Sequence, residues 1–118
     1  MSPERANVFI AEDNKRVLGF IQDELEAAGH KVVIVEEAFE EAVKAVESFK
    51  ENEVDVALLD GNLANGSEEN HGRKLAKLIK EKAPWVKTIG IGTMEVEGVD
   101  VNLTKMRLEE IVETVTNI

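Results

Sequence analysis

The sequence contains no cysteine and no tyrosine, and it has few other aromatic residues. Without cysteine, neither disulfide bonds nor thiolate metal sites are available. One tryptophan and four phenylalanines give no aromatic platform on which nucleic-acid bases would stack. Basic residues are also scarce, 14 against 24 acidic residues, and the net charge of -10 repels phosphate backbones and anionic lipids. We therefore expect no direct binding of nucleic acid or of a membrane surface.

Long apolar segments are absent as well. The N-terminus, Met1 to Arg5, lacks the apolar core of a signal peptide, and no later run approaches the length that crosses a bilayer. We therefore expect a cytoplasmic protein. With 118 residues the chain has the length of one ordinary domain, and we interpret residues 1–118 as a single domain.

Short apolar runs alternate with segments of helical periodicity along the chain. The predicted strands are Val8–Ala11, Lys31–Val35, Val54–Leu59, Val86–Ile91 and Val99–Leu103. The predicted helices follow Asn14 up to Gly29, run from Phe39 to about Asn52, span roughly His71–Lys82, and contain Leu108 to Val115. This alternation predicts an α/β fold in which helices cover both faces of a five-stranded parallel sheet. Residues 94–98 are too few for a helix with its two connections, which need about 15 residues. The fourth crossover helix is therefore predicted to be reduced or missing.

The third predicted strand, Val54–Leu59, ends on Asp60. A short apolar run of this kind is typical of a central strand, and ligands bind outside the carboxyl ends of such strands. The first strand ends on Glu12 and Asp13, and doubly wound order places the ends of the first and third strands side by side. Three converging carboxylates with no histidine or cysteine nearby favour Mg²⁺. With Lys105 after the fifth strand, the set suffices for phosphoryl transfer onto Asp60.

Simpler interpretations exist for each of these residues. Glu12, Asp13 and Asn14 also fit the start of a helix, where acidic residues and asparagine are stabilising. Asp60 followed by glycine fits an Asx turn at the end of a strand. A lysine beside a helix start, such as Lys105, is commonly solvated.

Four further features lie outside these motifs. The polar loop 61–70 has a length that is usually functional or mobile. We interpret His71 and Arg73 as surface residues at the start of a helix. Trp85 is predicted to begin the fourth strand and to pack in the core or at its rim. Glycines 90 and 92 in the fourth strand indicate a close approach of another part of the backbone.

In its motifs and their order, nearly the whole chain resembles a response-regulator receiver domain of two-component signalling. The matching features are Glu12-Asp13, Asp60 with Leu63 and Gly66 or Gly72 after it, and Val99 to Lys105. The resemblance implies a flavodoxin-like, doubly wound sheet in the order 2-1-3-4-5. It also implies that Asp60 accepts a phosphoryl group, that Glu12, Asp13, Asp60 and the backbone carbonyl of Asn62 hold Mg²⁺, and that Lys105 pairs with the phosphate.

The sequence departs from the family's pattern after the fourth strand. The hydroxyl residue that senses the phosphate falls on Gly92 or on Thr93, one step further, and neighbouring strand residues point to opposite faces. The usual aromatic residue before the lysine is Asn102, and the usual proline after it is Met106. The chemistry of phosphorylation is therefore predicted to be intact, whereas the residues that report it are altered.

The resemblance implies a single-domain receiver whose only chemistry is self-catalysed phosphoryl transfer to Asp60, so it is not an enzyme in the ordinary sense. The expected phosphodonor is a histidine kinase or a histidine phosphotransfer protein, and the expected output is contact with an unknown downstream protein. The alternative is a receiver-shaped interaction module that is not phosphorylated in the cell.

Overall fold

The computed structural model describes residues 5–61, 63, 70–92, 95–103 and 107–117. Strands and helices alternate through these residues, as the periodicity predicts. The strands are β1 (Asn7–Ala11), β2 (Lys31–Glu36), β3 (Val56–Leu59), β4 (Lys87–Gly90) and β5 (Val101–Asn102). The helices are α1 (Lys15–Ala27), α2 (Phe39–Val46), α3 (His71–Lys82) and α4 (Leu108–Asn117).

All five strands are parallel and form one sheet in the order β2-β1-β3-β4-β5. The predicted fold class and strand order are therefore confirmed. In the register of the sheet Ala11 pairs with Leu59, and Leu59 pairs with Gly90. The residues that follow β1, β3 and β4 consequently leave the sheet at one level, which is the edge where ligands bind in open α/β sheets.

Alternate residues of β1 and β3 enter two separate apolar layers, because neighbouring side chains of a strand point to opposite faces. Phe9, Ala57 and Leu59 pack in the layer that includes side chains of α2 and α3. Val8 and Ile10 pack in the layer that includes side chains of α1 and α4. All four residues of β3 are fully buried or nearly so, which agrees with its predicted place inside the sheet.

Local signals set both ends of α1. The side chain of Asn14 accepts hydrogen bonds from the amides of Arg16 and Val17 and caps α1. Gly29, which follows this helix, has a φ of +97°, a backbone conformation that glycine adopts more readily than other residues. Helix α2 is shorter than predicted, because the amides of Ser48 and Phe49 bond carbonyls three residues back and tighten the chain into turns.

Two buried or half-buried ring systems tie distant parts of the chain together. His30 is buried; its Nδ1 accepts a hydrogen bond from the Ala6 amide at 3.0 Å, and its Nε2 lies 2.9 Å from Thr116 Oγ1. Burial lowers the pKa of His30 below its ordinary value of 6.5. Trp85 precedes β4 at the rim, half-exposed, and its indole N–H donates to the Val54 carbonyl at 3.0 Å.

No helix in the described ranges is long and apolar enough to cross a membrane.

Candidate functional site

Three carboxylates meet at the carboxyl ends of β1 and β3. Oxygen atoms of Glu12, Asp13 and Asp60 all lie within 4.8 Å of one another. Glu12 is fully buried and Asp60 is 7% exposed, whereas Asp13 faces solvent. The predicted convergence of these three side chains is therefore present in the structure.

Backbone hydrogen bonds fix both buried carboxylates in the cluster. The Glu12 amide donates to the Glu36 carbonyl at 3.1 Å, and Glu12 Oε2 accepts from the Asn14 amide at 3.0 Å. The Asp60 amide donates to the Ala11 carbonyl at 2.9 Å, which continues the pairing of β1 with β3. The position of each carboxylate is thus set by the strand that precedes it.

The simpler interpretations account for part of this arrangement. The cap of α1 is Asn14, so Glu12 is not needed for that role. Asp60 Oδ1 accepts from the Gly61 amide at 2.8 Å, as a turn at the strand end requires. The turn does not explain why a carboxylate is buried beside two others, since like charges at this distance repel in the absence of a cation.

The donor set of the cluster fits a hard divalent cation. Among the residues that the structure describes, it consists of carboxylate oxygens, and Mg²⁺ and Ca²⁺ prefer oxygen ligands. Buried charge of one sign is costly unless it is paired or coordinates a metal. Glu12, Asp13 and Asp60 are therefore suited to hold such an ion, and Asp60 also has the chemistry of a nucleophile.

Three predicted site residues, Asn62, Thr93 and Lys105, lie outside the residues that the structure describes. Their assigned roles stay predictions, and so does the choice between Gly92 and Thr93 at the position of the sensing hydroxyl. Gly92 itself is buried at the end of β4.

The interpretation of His71 as a surface residue is wrong. It is 5% exposed, its Nδ1 accepts a hydrogen bond from the Leu63 amide at 3.0 Å, and its ring stacks on Phe39 with 4.5 Å between centroids. The helical spacing from His71 to Leu75 places both residues on the inward face of α3, and this spacing was the available signal. Arg73, on the opposite face, is exposed as predicted.

The first turn of α3 contacts the backbone of the cluster directly. The Gly72 amide donates to the Gly61 carbonyl at 3.0 Å. A Cβ atom at Gly72 would lie 2.5 Å from the Asp60 carbonyl oxygen and 2.8 Å from Val96 Cγ1. Only a residue without a side chain fits between the strand that carries Asp60 and the segment that carries Val96.

The segment between β4 and β5 is held by a side chain. Asn102 Oδ1 accepts from the Val96 amide at 2.8 Å, and its Nδ2 donates to the Val96 carbonyl at 3.1 Å. A Cβ atom at Gly90 would lie 2.5 Å from Asn102 Oδ1 and 2.9 Å from Val96 Cβ. A close approach at Gly90 is therefore present, but the neighbours are the side chains of Asn102 and Val96 and not the backbone that the sequence had predicted.

A cavity of about 150 Å³ adjoins the cluster. It is lined by Gly61, Asn70, Arg73, Glu95, Val96 and Glu97. Within it, Arg73 Nε lies 3.5 Å from Glu97 Oε1, and both side chains are largely exposed. Such an ion pair contributes little to stability, so it is free to rearrange when a ligand enters.

No protein-family model matches the sequence, and no curated protein matches it significantly. Solved structures do match the fold. The response regulator domain of CheB from Thermotoga maritima has a TM-score of 0.73 and 20% identity, over 93% of this chain and 92% of that one. The phosphorylated cyanobacterial phytochrome response regulator RcpA has a TM-score of 0.68 and 25% identity, over 95% and 89%.

A third similar structure is the complex of CheX and CheY with BeF3 and Mg²⁺ from Borrelia burgdorferi. It has a TM-score of 0.75 and 18% identity, and the match covers 93% of this chain and 88% of that one. The chain therefore has the flavodoxin-like fold of response-regulator receiver domains.

Proposed function

We propose that this chain is a phosphoacceptor receiver domain that takes a phosphoryl group on Asp60 with the help of Mg²⁺. The observation that carries the proposal is the convergence of three carboxylate side chains, within 4.8 Å, at the ends of two neighbouring strands. A sheet of this type binds ligands at that edge, and a cluster of carboxylates there serves binding or chemistry more readily than stability.

In the proposed reaction an oxygen of Asp60 attacks the phosphorus of a phosphohistidine. The new P–O bond forms as the P–N bond breaks, and the electron pair of the broken bond stays on the imidazole nitrogen. The protein contributes mainly position, because such transfers depend on alignment and on neutralisation of charge. The strand pairing through the Asp60 amide and the bond to the Gly61 amide supply that alignment.

The cation would be held by Glu12, Asp13 and Asp60 together with the carbonyl of Asn62. When bound, Mg²⁺ supplies positive charge that offsets both the carboxylates and the incoming phosphoryl oxygens. In the Borrelia complex Mg²⁺ accompanies BeF3, and RcpA is phosphorylated, which supports the same chemistry here. By resemblance, Lys105 would pair with the phosphoryl group, and the hydroxyl of Thr93 would contact it if Thr93, and not Gly92, occupies the position of the sensing hydroxyl.

The expected partners are proteins. A histidine kinase or a histidine phosphotransfer protein would donate the phosphoryl group, and a downstream protein would read the modified state. The Borrelia structure, in which CheY is complexed with CheX, is an example of protein contact by a chain of this fold. The only reaction proposed for this chain occurs on its own side chain.

A small phosphodonor tests the proposal without any partner. With acetyl phosphate and Mg²⁺, intact mass spectrometry should show the addition of one phosphoryl group. Asp60→Asn should abolish the addition, and Asp13→Asn should slow it by removing a cation ligand. Asp23→Asn, a change of an exposed residue on α1, should leave the rate unchanged.

The alternative function is an interaction module that is never phosphorylated. The Asn102 side chain favours it, since it fixes the segment that would have to move if the domain were switched in the usual way. Absence of labelling, under conditions that label an ordinary receiver domain, would decide for this alternative.

A further inference from the structure

An open groove of about 380 Å³ runs along α3 on the side of the β4–β5 connection. It is lined by Arg73, Lys77, Lys80, Glu81, Glu97 and Gly98. Residues 95–100 on its far side form turns and bends but no helix. A crossover between parallel strands ordinarily places a helix against the sheet at this position, so the groove occupies part of the space that such a helix would fill.

The described residues of the β4–β5 connection contact the first part of α3. Val96 packs against Gly72, and a Cβ atom at Gly98 would lie 3.7 Å from Ala76 Cβ. Lys77, which follows Ala76, and Lys80, about one turn beyond Ala76, are both exposed. Among the described residues, the β4–β5 connection therefore contacts the first half of this helix flank, while Lys77 and Lys80 of the second half are exposed.

The uncovered flank carries charge opposite to that of the whole protein. Helix α3 contains five of the 14 basic residues and one of the 24 acidic residues. Arg73 pairs with Glu97, whereas neither Lys77 nor Lys80 forms an ion pair with any residue that the structure describes. The carboxylates that face the groove, Glu81 and Glu97, offset only part of this positive charge.

We propose that the groove binds an acidic amphipathic helix of a partner protein. The partner helix would lie beside α3, where the short β4–β5 connection places no helix. Its apolar face would contact the aliphatic stems of the lysines, which cover apolar surface while their charged ends stay in water. Its carboxylates would pair with Lys77 and Lys80, an arrangement that favours association and selects against basic partners.

This surface is distinct from the site of phosphorylation and does not require it. Asp60→Asn therefore should bind the helix as the wild type does, so that failure of the phosphorylation proposal leaves this one testable. Arg73 lines both the groove and the cavity beside the cluster, which places the two sites next to each other.

Titration of the isotope-labelled full chain with designed helical peptides tests the proposal. The probes are a small panel of amphipathic peptides with leucine on one face and glutamate along its edges. The controls replace glutamate with lysine or scramble the order. Acidic amphipathic peptides should shift the amide signals of α3 and residues 97–98, and added salt should weaken the binding. The lysine and scrambled peptides should not bind.

The matched variants reverse the same amount of charge at two places. Lys77→Glu with Lys80→Glu should weaken binding on the order of tenfold, because attraction becomes repulsion. Lys44→Glu with Lys50→Glu, both exposed and not among the residues that line the groove, should change it by less than about twofold. Circular dichroism checks that each variant is folded.

Three outcomes would overturn the proposal. One is that no acidic amphipathic peptide of the panel binds. The second is that both double variants lose affinity equally, which would indicate unspecific electrostatics. The third is a concentration-dependent shift at Lys77 and Lys80 in the protein alone, which would identify a second copy of this chain as the occupant.

Discussion

Replacement of Gly72 by alanine tests how tightly the candidate site is coupled to α3. The added methyl group would lie 2.5 Å from the backbone oxygen of Asp60 and 2.8 Å from Val96 Cγ1. The first neighbour is backbone and is held by the pairing of β3, so it has no rotamer by which to move aside. The helix start or the strand end must therefore shift.

Gly19→Ala is the matched control, because Gly19 lies in α1 and a Cβ atom there would meet nothing within 4 Å. In a helix, alanine is more favourable than glycine by about 1 kcal/mol, so the control should be neutral or stabilised by up to that amount. Overpacking ordinarily costs about 1–3 kcal/mol. The difference in unfolding free energy between the two variants should then be about 1–3 kcal/mol, since the propensity gain is common to both.

Urea unfolding of both variants measures this difference, with equal m-values as the check that unfolding stays two-state. A shift of the helix start also moves the Asp60 backbone, so Gly72→Ala should label more slowly with acetyl phosphate while Gly19→Ala should label normally. Equal stability of the two alanine variants would refute the proposed contact between α3 and the end of β3.

Three further predictions concern other parts of the chain. Millimolar Mg²⁺ should raise the melting temperature, because a Mg²⁺ concentration of ten times the dissociation constant adds about 1.4 kcal/mol to the free energy of unfolding. Asp13→Asn should abolish this rise, and Asp23→Asn should not. Burial lowers the pKa of His30 in the folded state, so the stability that this residue contributes is complete above pH 6.5 and is lost as the pH falls from 6.5 through the folded-state pKa. His30→Gln should therefore flatten this part of the curve of unfolding free energy against pH. An unchanged curve would contradict the lowered pKa. Asn102→Ala should cost about 1–3 kcal/mol for the two hydrogen bonds to Val96 and should speed exchange of the Val96 amide; unaltered exchange would contradict the role of Asn102 as a clamp.

The fold was predictable because its signals are repeated along the chain. Five apolar runs alternate with helical periodicity, and parallel sheets with crossover helices are the arrangement that buries both. The convergence of Glu12 and Asp13 with Asp60 followed from strand order alone, since β1 and β3 are neighbours and end at the same level. The reduced connection between β4 and β5 was predicted from a count of residues.

Side-chain environments were less predictable. His71 reads as polar in a sequence, yet the Leu63 amide and the Phe39 ring satisfy it inside the protein. The last three strands are also shorter than the runs that predicted them, as with β5, where only Val101 and Asn102 pair, whereas β1 and β2 are each one residue longer than predicted. Burial beyond the end of a strand depends on what packs against it, and one sequence does not contain that information. The roles of Asn62, Thr93 and Lys105 rest on resemblance alone.

One departure from the receiver pattern, Asn102, depends on its neighbours in the structure. Gly90 leaves room for the Asn102 amide, that amide holds Val96, and Gly72 leaves room for Val96 beside the Asp60 carbonyl. A side chain at either glycine would collide with Val96, and loss of the Asn102 amide would remove both hydrogen bonds that hold it. The short β4–β5 connection is thus held in place by specific contacts of Val96, which depend on the two glycines and on Asn102.

This packing has a consequence for how a phosphoryl group on Asp60 would be sensed. The described contacts lead from Asp60 through Gly72 to Val96, and the Arg73–Glu97 pair stands between that path and the groove along α3. A dianion at Asp60 would attract Arg73 away from Glu97, because an exposed pair held at 3.5 Å is weak. Glu97 would then no longer be paired with Arg73, so its negative charge at the groove would no longer be offset by the guanidinium group. Phosphorylation would then alter binding at the groove through electrostatics at the start of α3, without the helix movement that the short connection does not permit.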